Sequence, residues 1–546
     1  MVSRFRSSNN ELQTVIEASV FLGQMMGRSA KGAHMRFIAI ACVLLAGSEV
    51  LGQPKRQPIQ IGIQYAYPGG GKTFSQLSIP VAKFYPDSVN WGDMQLGPGL
   101  PIDFSKMDRF VLEYQAAGFS DLVLVLRSKS RWASINYVLN PAPKPQFLND
   151  YEAWVRAIVE RYSATSKFLP GLKRPVRFYE IGSEFSRHEP EPVEDYLAMF
   201  ERAHRAAHNA YDRAVVLNAA FLAPMVFHDH PKPAQYAAEF DRINKQILSH
   251  SLDDIRRVLN ETTYYNMVNF HAMSDPNEIE PTVAWLRAEM KERMIDKPIV
   301  ISEATPDPLI AWGPATKLPP EAFGLPSRPG SVGLAVWPAT DGDRPALIDY
   351  FNRLIDGDGG AINWTHAYAA ADMVKKVVIA ADQGVEMICL GFMEDQPTLK
   401  TRAAQASAGV SAWSGMADTD VNPLTEQRTI KSLRPSFYAI QQVQKYLRNY
   451  DSIERVKNNN SRVRIYKITR GETVNWIAWH DTPRLYLPGT KLPSTKFAFE
   501  VQGKSISVEK MIEKHGQTKP ETLTVSVKNG VAEITLTPRP VFIRAN

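Results

Sequence analysis

The chain is poor in cysteine, has no long apolar span, and carries no strong excess of either charge. Only Cys42 and Cys389 occur among its 546 residues. Cys42 lies in an apolar run expected to be removed, which leaves Cys389 alone. An intramolecular disulfide and a cysteine-ligated metal cluster are then both excluded. The net charge is +6, from 63 Lys and Arg against 57 Asp and Glu. That is too weak an excess to argue for a nucleic-acid partner. Neither a short internal repeat nor a low-complexity tract is present. With 44% apolar and 22% charged residues, a disordered, collagen-like or coiled-coil chain is excluded.

Phe37 to Gly47 (FIAIACVLLAG) is an apolar run of 11 residues, whereas a membrane span needs about 20. Met35 and Arg36 precede it, and Val50 and Gly52 place small residues just before a cut at Gln53. This reads as a secretory signal whose working start is Met35. Residues 1–52 are therefore expected to be a leader and the mature protein to be exported, periplasmic or extracellular. No stable membrane span is expected after signal removal.

Beyond the leader, short β-rich runs alternate with amphipathic helices. Eight such runs fall at 59–64, 88–93, 122–127, 176–184, 214–221, 267–272, 298–303 and 387–392. Between them, Met107, Phe110, Val111 and Tyr114 share one helical face, with Ser105 and Asp108 spaced as a capping box. Trp154, Val155, Ile158, Val159 and Tyr162 do the same in 150–162. So do Ala370, Met373, Val374, Val377, Val378 and Ala381 in 366–383, where Gly384 supplies the stop. Parallel strands need helical crossovers, and eight of them close into a (β/α)8 TIM barrel of the α/β class over 53–451. The first unit is irregular, because 65–87 holds Pro68, Pro80 and Pro86. An open doubly wound sheet is the structural alternative. The Pro- and Gly-rich stretch 304–346 is expected as a loop over one end of the barrel.

From residue 452 the period changes to two. RVRIYKI, TVNWIAW, LTVSV and VAEITLT are separated by turn signals, Asn529-Gly530 among them. Residues 452–546 are expected to form a small C-terminal antiparallel β-sandwich domain packed on the barrel without a linker.

Ala66 to Thr73 (AYPGGGKT) nearly satisfies a phosphate-loop pattern. A phosphate site would need a helix to begin at Lys72. The prolines that follow break such a helix within two turns, so a substrate loop is the preferred reading.

The strongest signal is a pair of glutamates at strand ends. Glu184 closes YEIGSE and Glu303 closes PIVISE, on the fourth and seventh expected strands. Carboxyl groups at two C-terminal strand ends project over the same central hollow. Glycoside cleavage needs such a pair, one acid to protonate the departing oxygen and one carboxylate to attack or stabilise the sugar cation. Two surface glutamates capping the following helices are the alternative.

On these motifs the sequence resembles the clan A glycoside hydrolases, and among them the β-xylosidase and α-iduronidase type that joins this barrel to a β-sandwich. FYEIGSE is similar to the clan's strand-four motif and KPIVISE to its nucleophile strand. NFHAMS, RPSFYAIQQVQKYL and the closing ITLTPRPVFIRAN extend the resemblance over about 59–546. It implies Glu184 as acid/base and Glu303 as nucleophile of a retaining enzyme. Ser183 stands where the clan's asparagine binds the sugar 2-hydroxyl. Its hydroxyl is shorter and can still donate, so the role passes to another contact or a water, with a different sugar or lost activity as the other outcomes. Asn218 or Asn269 is a candidate to compensate.

Several other residues invite a role. Glu180 is expected deeper in the barrel as half of an ion pair, with Arg127 as its partner. His271 ends the sixth strand, within reach of a carboxylate or a sugar hydroxyl, or as a satisfied structural histidine. His228, Asp229 and His230 lack a distant third ligand and read as a solvated loop. Trp91, Trp132, Trp312 and Trp337 fall at or after strand ends, as sugar platforms or as packing. Arg127, Lys129 and Arg131 form a basic cluster for an anionic substituent such as a uronate or sulfate, or solvated loop charges. The whole describes an exported retaining glycosidase with a carbohydrate substrate and no metal or organic cofactor. For these roles Glu184 should have a raised pKa and Glu303 should stay ionised. A non-catalytic carbohydrate-binding protein on the same fold is the alternative.

Overall fold

A computed structural model describes residues 57–84, 89–136, 141–163, 167–185, 192–224, 226–227, 230–247, 250–306, 310–311, 334–335, 344–395, 413–422, 428–482 and 486–546. The expected leader at 1–52 lies outside these residues, as do Trp312, Trp337, His228, Asp229 and most of the expected loop at 304–346.

Eight parallel strands close into a barrel. They are β1 (Gln60–Ala66), β2 (Val81–Phe84), β3 (Asp121–Leu126), β4 (Phe178–Phe185), β5 (Val215–Leu222), β6 (Val268–Ala272), β7 (Ile299–Ala304) and β8 (Met387–Leu390). Each pairs with its neighbours in sequence, and β8 closes on β1 from Gln60–Met387 to Ile63–Leu390.

Seven strands lie within two residues of their expected positions; the second does not. It was expected at 88–93, where Trp91–Met94 instead makes one helical turn and only Asn90 bridges to Arg127. The strand is the four-residue run VAKF, buried throughout, between Pro80 and Pro86. Proline is tolerated outside a strand's ladder. The Pro80 carbonyl itself accepts the Ser120 and Asp121 amides at 2.9 and 3.1 Å.

The crossover helices bury the faces that their periodicity marks. In α1 (Ser105–Ala117) Met107, Phe110, Val111 and Tyr114 are buried, and Gly118 ends the helix at φ 110°. The expected capping box does not form. Asp103 accepts the Ser105 amide at 2.9 Å, while Asp108 is drawn to Arg161 and Tyr162. The helix Gly359–Asp382 buries its apolar stripe and is followed by Gly384 at φ 64°.

After β8 comes an antiparallel pair, Ala417–Val421 with Arg428–Leu433, that no strong alternation in the sequence marks. From Ser452 on, a six-stranded antiparallel sheet forms, with a two-stranded sheet, Thr495–Glu500 and Val531–Leu536, beside it. Period-two alternation gives the large sheet two apolar faces. Ile465, Trp476, Ala478 and Ile543 meet Phe499, Ile534 and Leu536 of the small sheet. Tyr466, Ile477, Trp479 and Phe542, on the opposite face, join the core that contains the barrel helices. Gln442, on the helix Pro435–Leu447, accepts the Ile512 amide at 2.8 Å across this junction.

Inside the barrel the same alternation stacks layers. Val81, Val123, Phe178, Leu217, Val300, Met387 and Cys389 form an apolar plug. Two residues further along β2, β4 and β7 stand Lys83, Glu180 and Ser302, all buried. The barrel thus turns polar toward its C-terminal mouth.

Candidate active site

Both glutamates stand just beyond irregularities in their strands. The β4–β5 register shifts between Ile181 and Glu184, with Gly182 in the left-handed region at φ 79°. On β7 the register shifts between Ile301 and Glu303 against β6, and again toward β8. An extra residue in a strand re-aims the side chains that follow it. On β7 it lets the consecutive Ser302 and Glu303 both engage groups of the barrel interior.

One oxygen of Glu184, one oxygen of Glu303 and one ring nitrogen of His271 lie within 4.8 Å of one another. Retaining glycosidases hold their carboxyl groups about 5–5.5 Å apart and inverting ones about 6.5–9.5 Å. Glu303 is 3% exposed, whereas the Glu184 side chain keeps 15% of its surface open. Tyr65 donates its hydroxyl to Glu303 Oε1 at 3.3 Å. It does so from a backbone at φ 53°, an uncommon conformation for a bulky residue and one that clusters at functional sites.

His271 joins the pair from below. Its Nδ1 is 3.1 Å from Glu184 Oε1, and its Nε2 is 3.1 Å from Ser302 Oγ. Burial carries its pKa from 6.5 down to about 4, and Lys83 pushes the same way against Glu303 and Glu180. The ring is neutral. Burial also pushes the Glu303 carboxyl up; the Lys83 cation opposes this, and Glu184 and Glu180 add to it. Glu303 was expected to stay ionised; burial acts against that charge and the Lys83 cation acts for it. The donor atoms of Glu184, His271 and Glu303 form the one candidate metal trio among the described residues. Within the chain, His271 Nδ1 meets Glu184 of that trio and Nε2 meets Ser302.

Beneath lies an ion pair. Lys83 Nζ is 2.9 Å from Glu180 Oε2, with both side chains at 1% exposure or less. Glu180 was expected to pair with Arg127, and its partner is Lys83. The misplaced second strand hid this lysine, because VAKF read as part of a proline-broken loop. Arg127 is itself 1% exposed, and its carbonyl takes the Trp91 amide at 2.9 Å. Of the expected basic cluster only Lys129 and Arg131 reach solvent.

Trp91 is not a platform. It is fully buried against Trp132, Tyr151 and Trp154. Trp132 is half-buried, donates to the Gln95 carbonyl at 2.9 Å, and packs its ring against Trp91 and Phe147. Ser183 is 6% exposed beside Glu184. Asn218 and Asn269 do not stand in for the missing asparagine. Asn218 accepts the Asn269 amide at 2.8 Å and donates to the Asn269 carbonyl at 3.1 Å, and Asn269 donates back to the Asn218 carbonyl at 3.1 Å. Asn269 also accepts the Ser302 amide at 3.1 Å. These amides stitch β5, β6 and β7 together where register is lost.

The glycine loop after β1 cradles an anion, but one of the chain's own. The Gly69 and Gly71 amides each donate to the Glu113 carboxylate at 2.7 Å, and the helix that follows is only Gly71–Phe74. Of the missed residues, Tyr65 offered one signal, its place at the end of the first strand.

No family model matches the sequence, and no curated protein does. Among solved structures, the chain is similar to a family 39 glycoside hydrolase from the gut symbiont Bacteroides cellulosilyticus WH2. The TM-score is 0.55 at 11% identity, over 90% of this chain and 81% of that one. A glucosidase from Croceicoccus marinus follows at TM-score 0.49 and 12% identity, over 91% and 98% of the two chains. A monomeric β-xylosidase from Caulobacter crescentus CB15 gives 0.46 and 12%, over 90% and 97%. The likeness anticipated from the glutamate motifs is found in the architecture: this chain has the fold of the family 39 glycoside hydrolase, an eight-stranded parallel barrel joined to antiparallel sheets.

Proposed function

We propose that the chain is a retaining glycoside hydrolase in which Glu303 is the nucleophile and Glu184 the acid/base. What carries the reading is the approach of their carboxylate oxygens to within 4.8 Å at the polar mouth of the barrel. Glu303 attacks the anomeric carbon while Glu184 gives a proton to the departing oxygen. A glycosyl ester forms on Glu303. Glu184 then takes a proton from water, which displaces the ester and restores both carboxyl groups. The unequal exposure of the two groups suits these roles, since the proton donor must meet leaving group and water in turn. The substrate is a carbohydrate. Export by a leader cut before Gln53 belongs to the same proposal, and sequencing the N-terminus of secreted protein tests it.

A binding protein without turnover is the second reading. What favours it is that Asn218 and Asn269 are committed to the strand ladder, leaving Ser183 as Glu184's neighbour on β4. The variants Glu303→Gln and Glu184→Gln decide between the two. Glu303→Gln is expected to abolish turnover in a folded protein. Glu184→Gln should slow substrates with poor leaving groups about 10²–10⁴-fold and activated ones much less. Turnover unchanged in Glu303→Gln removes the mechanism.

A further inference from the structure

We propose that the buried Lys83 fixes the direction of a hydrogen-bond chain running through Ser302 and His271 to Glu184, so that Glu184 Oε1 is always an acceptor and the exchangeable proton resides on Oε2. The inference rests on the glycosidase reading only in giving that proton a task.

Lys83 Nζ lies 3.1 Å from Ser302 Oγ, as well as 2.9 Å from Glu180. An ammonium group only donates, so Ser302 accepts from it and has its own O–H left to give. His271 Nε2 stands 3.1 Å from that hydroxyl and 3.9 Å from Glu180 Oε1, too far for a hydrogen bond to the carboxylate. The neutral imidazole has one donor and one acceptor nitrogen. With Nε2 accepting from Ser302, Nδ1–H is the donor, and it faces Glu184 Oε1 at 3.1 Å. Every link then holds one proton. The reverse order would set the Nδ1 lone pair against an ionised carboxylate whenever Glu184 had given up its proton.

Burial keeps the ring from charging in ordinary conditions, so the chain is not reset by a second ring proton. Lys83 stays cationic because Glu180 and Glu303 outweigh the burial that opposes its charge. A lysine with almost no surface thereby acts as a positioning residue for an acid three links away. Glu184 keeps one oxygen tethered in both protonation states, which limits its rotation between the two half-reactions.

Nitrogen-15 NMR of the full chain labelled at histidine tests this, with His271 assigned by its loss in His271→Gln. Near pH 7 the account expects a protonated Nδ1 and an unprotonated Nε2. Ser302→Ala removes the donor to Nε2, and Lys83→Met combined with Glu180→Met removes the anchor without stranding a buried charge. Each is expected to produce a mixture of tautomers. A wild-type His271 protonated on Nε2, or a tautomer unchanged in both variants, overturns the proposal. The measurement needs no substrate, so its failure is distinct from failure of the glycosidase reading.

Discussion

His271 is held neutral, and this ties the protein's stability to pH. Its pKa falls from 6.5 to about 4 through burial, and those of His204 and His366 fall to about 4 and about 3 for the same first reason. The unfolded chain binds these protons below pH 6.5 while the folded chain refuses them. The contribution is therefore complete above that pH and is lost as pH falls toward 4, amounting for His271 to about 3 kcal/mol at most. Denaturant unfolding at pH 7 and pH 4.5 should show this fall, and His271→Gln should show a smaller one. An equal fall in that variant would contradict the reading. At this scale Glu184 and Glu303 were legible, because each closes a run whose length and apolar content mark a strand. Lys83 was not. Its partner depends on which strand lies next to β4 two places round the barrel, and the sequence reading had put that strand seven residues too late.

Between residues and fold stand the strands, and here the site depends on departures from regularity. Simple alternation cannot turn both Ser302 and Glu303 toward the interior, and the extra residue in β7 does so. The register lost there is made good by side-chain amides, chiefly Asn269, which serves the Asn218 carbonyl and the Ser302 amide. Asn269→Ala leaves both without a partner. At about 1–3 kcal/mol for each stranded group, urea unfolding should show a loss of about 2–6 kcal/mol. A loss below about 1 kcal/mol would mean that these bonds do not hold the strands. Bulges of this kind cannot be read from spacing, since a strand with one extra residue has the same composition as a regular strand. That is why Asn218 and Asn269 read equally well as substrate ligands.

For the whole molecule, the barrel and the closing sheets were legible because two periods, 3.6 and 2, each bury a face. Trp479 and Tyr466 on one side of the large sheet, and Trp476 and Ile465 on the other, make that alternation visible in the sequence and explain the absence of a linker. The antiparallel pair after β8 was not legible, because Ala417–Val421 and Arg428–Leu433 bury little and carry no strong apolar alternation. The architecture places two carboxyl groups over one polar hollow, and the central claim is that one of them becomes covalently glycosylated. Intact mass measurement after exposure to a panel of 2-deoxy-2-fluoro glycosides tests this most directly. One added glycosyl group is expected, which peptide mapping places on Glu303 and which Glu303→Gln fails to acquire. An adduct on another residue, or hydrolysis with inversion at the anomeric carbon, would contradict it.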